Sequence, residues 1–145
     1  KTRVAPIKRL TIVRLELSAA VLASRLRKFV EQKTRLKFEN YFHIVDSEII
    51  RAMIQKESYG FNTFVGTRIG EIQSHTDPKQ WYWINGDQNI ADIITRGADP
   101  DNIGEGSAWQ MGPKFLEEPV ENWPISRECS INDLPERTVY SITVT

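Results

Sequence analysis

Between Thr11 and Lys33 apolar side chains return every three or four positions. Leu15, Ala19, Leu22, Leu26 and the Phe29/Val30 pair keep helical spacing, so "TIVRLELSAAVLASRLRKFVEQK" predicts a long amphipathic helix capped by Thr11. The pattern then changes. "YFHIV" (41–45) is a short, nearly continuous apolar run, as in a strand buried in a parallel sheet. "SEIIRAMIQ" (47–55) returns to helical spacing, with Ser47 or Asp46 at its start, and Gly60 breaks it. Residues 62–75 predict another helix, weakened by Gly66 and Gly70, each about 1 kcal/mol worse than Ala. "TDPK" is a turn, "QWYWI" (80–84) a second strand with its tryptophans in the core, "NGDQ" a turn, and "NIADIITR" (89–96) a short helix closed by Gly97.

Ahead of the long helix, "KTRVAPIK" (1–8) reads as an extended piece with Pro6 at an edge or strand end. The order extended, helix, strand, helix, helix, strand, helix predicts an α/β layer fold. From Ala98 the composition turns to Pro, Gly and acids without a period, so residues 98–145 read as a loop-rich extension or linker beyond a domain at 1–97. The closing "TVYSITVT" is strand-like with no visible partner.

Charge sharpens this picture. The formal net charge is zero, yet residues 1–37 carry +9 and the remainder −9. The basic segment suits either a solvated helix face or contact with phosphates. A single cysteine, Cys129, rules out an intrachain disulfide and points towards a reducing, intracellular compartment, cytoplasmic or nuclear. Two separated histidines and one cysteine do not make a zinc site, no phosphate-cradling glycine loop is present, and no stretch suits a membrane span.

Three acids occupy special places: Glu16 early in the long helix, Asp46 at the end of the first strand, and Asp92 in the last short helix. Asp46 stands where open α/β sheets bind ligands. Glu16 shares a stripe with Ala20 and Ala23 beside the Leu15 stripe, which predicts a partly buried carboxylate that calls for a compensating cation. Each acid also has a plainer role. Asp46 can cap the next helix, while Glu16 and Asp92 can be first-turn acids favoured by the helix dipole.

Taken in order, "TIVRLELSAAVLASRL", "HIVDSEIIRAMI", "FVGTRIGEIQ", "WYWINGDQNIADIITRG", "WQMGPKFL" and "NWP" resemble the ribonuclease H region of Bel/Pao-type LTR retrotransposon polyproteins, over roughly residues 1–124. The resemblance implies a ribonuclease H-like α/β fold that opens at its third strand, "KTRVAPI", with the first two strands and their Asp upstream of Lys1. It implies that Glu16, Asp46 and Asp92 are catalytic and bind two Mg²⁺ or Mn²⁺ ions, hard cations suited to carboxylate oxygens. The implied reaction is hydrolysis of the RNA strand of an RNA–DNA hybrid, with no small-molecule cofactor and no membrane. Reverse transcriptase and integrase portions of the same polyprotein are the implied neighbours. Lys8, Arg9, Arg14, Ser47, Asn89 and Arg96 are candidates for nucleic-acid contact, and Asn89 is also expected to shape its helix start. "WYWINGDQN" lacks the family's loop histidine, and Val13 stands where the family usually has proline. Without the first-strand Asp, the chain is expected to cleave little by itself, and a catalytically silent, domesticated binding module is the alternative.

Overall fold

The computed structural model describes residues 10–128, 131 and 133–138. The extended piece at 1–8, Lys8, Arg9, Cys129 and most of "TVYSITVT" lie outside the described residues. Helix α1 spans Ile12–Lys33, and Thr11 caps it by accepting from the Arg14 N–H at 3.3 Å. Strand β1 (His43–Val45) leads into α2 (Glu48–Ile54), and α3 (Thr63–His75) leads through a 3-10 turn into β2 (Trp81–Ile84). Two short helices follow, α4 (Pro100–Ile103) and α5 (Ala108–Met111), and then a two-residue strand, β3 (Ile125–Ser126). This is a mixed α/β fold compatible with a ribonuclease H-like arrangement.

The sheet order is β1-β2-β3. His43, Ile44 and Val45 pair in parallel with Trp81, Tyr82 and Trp83, as the continuous apolar character of both runs suggests. The second contact was not legible in the sequence: β3 adds antiparallel to β2, pairing Ser126 with Trp83. The 98–145 segment also sends Leu134 into the core, where it is buried with Phe61 and Val65. "NIADIITR" forms a 3-10 helix at Ile90–Thr95 rather than an α-helix, and Gly97 follows it with φ at +72°.

The buried face of α1 differs from the predicted one. Leu17, Ala20, Val21 and Ser24 are buried, whereas Leu15 is 39%, Leu26 43% and Phe29 58% exposed. At 3.6 residues per turn these two stripes lie roughly 180° apart. Both have helical spacing, so periodicity could not choose between them. Packing against α3 and α2 selects the face with the smaller residues. Ser24 joins it without cost to its hydroxyl, which donates to the Val21 carbonyl at 2.8 Å. Glu16 falls between the stripes and is half-buried.

Trp81 is fully buried and its indole N–H donates to Thr76 Oγ1 at 2.8 Å, which bears out the core assignment for this residue, whereas Tyr82 and Trp83 are only half-buried. Gly66 has a specific task in α3. A Cβ there would stand 2.8 Å from the Ser58 carbonyl oxygen, so the glycine that weakens the helix lets it meet the 58–60 turn.

Candidate functional site: a carboxylate pair at the end of the first strand

β1 ends at Val45, and the chain turns sharply into α2. Ser47, not Asp46, caps that helix: its hydroxyl oxygen accepts from the Ile50 N–H at 3.3 Å. Asp46 is thereby released from the capping role. Its carboxylate is exposed and its Oδ2 accepts from the Asn89 side-chain amide at 3.0 Å. The indole N–H of Trp83, on the neighbouring strand, donates to the Asp46 backbone carbonyl at 3.1 Å. Gly86 also borders Asp46; a Cβ there would lie 4.0 Å from Oδ2. The parallel register, which sets Val45 beside Trp83, makes this convergence possible.

Glu16 arrives from α1. Burial pushes its pKa up, a hydrogen bond with Ser47 opposes that shift, and the Asp46 charge adds to it. The site therefore brings Glu16, Asp46, Ser47 and Asn89 together. Asn89 departs from its expected role. Its side chain makes no cap bond to the following turn, although its carbonyl accepts from the Asp92 N–H at 3.1 Å, and its amide goes to Asp46 instead.

Asp92 is engaged within its own turn. Thr95 Oγ1 donates to it at 2.7 Å and Arg96 Nε pairs with it at 2.7 Å. The Thr95 bond, then the Arg96 charge and its hydrogen bond, hold the Asp92 pKa below the ordinary carboxylate value against a desolvation cost. Arg96, a phosphate candidate by sequence, is thus an ion-pair partner. Arg14 is too, forked onto Glu136. Among the described residues, no three His, Cys, Asp or Glu side chains are grouped so as to hold a metal ion.

A hard divalent cation fits part of this set. Glu16 and Asp46 offer oxygen ligands of the kind such a cation takes, and Glu16 has its pKa raised first by burial and then by the Asp46 charge. Asp92, held by Arg96, does not join them in this arrangement.

A family model described as Pao retrotransposon-like RNaseH-like domain matches residues 1–47. Residues 1–47 are thus similar to the ribonuclease H-like domain of Pao-type retrotransposons. They include Arg14, Glu16, Asp46 and Ser47, and the match ends where α2 begins. Asn89 and Asp92 lie beyond the matched part. No curated protein and no solved structure matches the chain.

Sequence reasoning missed two participants in the surroundings of the matched segment. Trp83 fixes the Asp46 carbonyl, and only its place opposite Val45 in the register could have suggested it. Glu136 reaches Arg14 across 122 positions, and nothing in the local sequence signals this.

Proposed function

We propose that this chain contributes the Glu16–Asp46 half of a retrotransposon ribonuclease H centre, whose parent protein cleaves the RNA strand of RNA–DNA hybrids. The observation that carries this reading is the convergence of Glu16 and Asp46 from α1 and the end of β1, within the segment matched by the Pao family model. Bound there, divalent ions would polarise a phosphodiester and supply an activated water. Glu16 and Asp46 would hold the cation. Ser47 orients Glu16, while Asn89 occupies Oδ2 of Asp46 and leaves the other carboxylate oxygen open to solvent. Trp83 fixes the backbone from which Asp46 projects.

A specific observation favours a second reading, a catalytically silent binding module. Asp92 is spent on Arg96 and Thr95, so the described carboxylates do not assemble as a set of three. The deciding experiment incubates the chain with an end-labelled RNA–DNA hybrid and Mg²⁺. Cleavage that Asp46→Asn abolishes supports the enzyme. Hybrid binding without cleavage, unchanged by Asp46→Asn, supports the silent module.

A further inference from the structure

Arg14 sits in the first turn of α1, two positions before Glu16, and a carboxylate from far along the chain holds it. Its Nε and Nη2 donate to Glu136 Oε1 and Oε2 at 2.8 and 3.0 Å, a two-pronged fork. The Asn62 side-chain amide donates to the same Oε2 at 3.2 Å. The backbone ties the segment down on either side. The Asn62 N–H donates to the Glu136 carbonyl at 2.8 Å, and the Thr138 N–H donates to the Gly60 carbonyl at 3.0 Å. Phe61 and Arg137 form an antiparallel bridge, and Leu134 anchors the segment in the core.

Glu136 adopts φ of +62°, the one positive φ among the described non-glycine residues. That conformation costs an L residue about 1–2 kcal/mol. The segment accepts this cost where its backbone bonds deliver the side chain onto Arg14. A guanidinium fork suits a carboxylate and a phosphate equally well.

We infer that Arg14 with Gly60–Asn62 forms an anion-docking site, occupied in cis by Glu136, and that a phosphate group gains Arg14 when Glu136 leaves it. The 131–138 segment thereby masks a guanidinium that lies on the far side of α1 from Glu16, where it also stacks over the Phe64 ring at 4.6 Å. This site stands apart from the Glu16–Asp46 pair, and its test does not depend on a hybrid.

The probe is inorganic triphosphate, titrated at low salt into the full chain and its Glu136→Gly variant, with the Arg14 Nε–H followed by NMR. Glycine adopts a positive φ without strain, so this change removes the carboxylate and favours the docked backbone. Hydrogen exchange at the Asn62 amide reports whether the segment stays docked; either way Arg14 is freed. The variant is expected to bind triphosphate at least about five-fold more tightly, with the gain shrinking as salt is added. Asp133→Asn, which removes an exposed charge from the same segment, should leave the affinity unchanged. Equal affinity with and without Glu136 overturns the inference, as does a gain that survives in the Arg14→Gln/Glu136→Gly double variant. Should neither protein bind an RNA–DNA hybrid, the hybrid reading fails while the triphosphate comparison stands.

Discussion

The Asn89 side-chain amide donates to Asp46 Oδ2 at 3.0 Å, tying the start of the Ile90–Thr95 3-10 helix to the end of β1. The bond is one of charge to dipole, and it neutralises nothing. Asn89→Asp would replace the donor with an acceptor and set a third negative charge beside Asp46 and Glu16. The variant should lose about 1 kcal/mol at pH 7 in low salt, since the bond is exposed and solvent screens it. Millimolar Mg²⁺ should restore more stability to the variant than it gives the parent. Thermal melts with and without Mg²⁺ check this, and a variant as stable as the parent at pH 7 would contradict the geometry.

Gly66 carries a second prediction. Ala is the better helix former by about 1 kcal/mol, so propensity alone says that Gly66→Ala stabilises α3. The 2.8 Å approach of a Cβ to the Ser58 carbonyl says the opposite, because backbone must move. Overpacking of this kind costs about 1–3 kcal/mol. Gly70→Ala is the control, since its Cβ would meet Ser58 side-chain atoms at an ordinary 3.8 Å. Urea denaturation should show Gly66→Ala destabilised and Gly70→Ala neutral or stabilised.

These glycines show what the sequence could and could not carry. Local signals were legible: Thr11 as a cap, the long helix it opens, the two strands, and the helices at Glu48–Ile54 and Thr63–His75. Choices between equivalent faces were not. α1 has apolar residues on two sides, and only tertiary packing selects Leu17 over Leu15. The same holds at the site. Asp46 and Ser47 were both candidate caps, and the choice of Ser47 is what frees Asp46 for Asn89. Asp92 looked equivalent to Glu16 and Asp46, but a partner four positions on, Arg96, draws it away. Long-range links such as Glu136 to Arg14 leave no periodic trace.

His43 gives the pH dependence a definite sign. It stacks on Trp81 with ring centroids 4.6 Å apart. Burial, then the nearby Arg27 charge, lowers its pKa from 6.5 to about 4, against weaker opposition from a Gln80 backbone hydrogen bond and Glu31. Folded, the ring stays neutral down to about pH 4, while in the unfolded chain it takes up a proton near 6.5. Between these values the unfolded state binds more protons, so stability falls as pH drops from about 6.5 towards 4. With solvent screening allowed for, the loss should be on the order of 1–2 kcal/mol. His43→Gln should flatten the pH 5–6.5 part of the profile, above the range where Glu136, Glu71 and Asp92 titrate. Denaturation midpoints across pH 4–7 test it, and identical slopes in both proteins would refute it.

Arg51 is the least expected residue of the interior. It is fully buried in α2, and its Nε, Nη1 and Nη2 have no hydrogen-bond partner among the described residues. A buried cation without a partner loses its hydration and gains nothing in return. Its neighbours on α2, Ile50, Ala52, Met53 and Ile54, are buried and apolar. Methionine has a comparable unbranched length and fills irregular space. Replacing even paired buried charges by well-packed apolar residues often stabilises by about 1–4 kcal/mol. Arg51→Met should therefore raise the denaturation midpoint, whereas Arg51→Ala should gain less because it leaves a cavity. If Arg51→Met is instead destabilised by several kcal/mol, the guanidinium meets an anionic partner in solution, and its burial reflects that pairing.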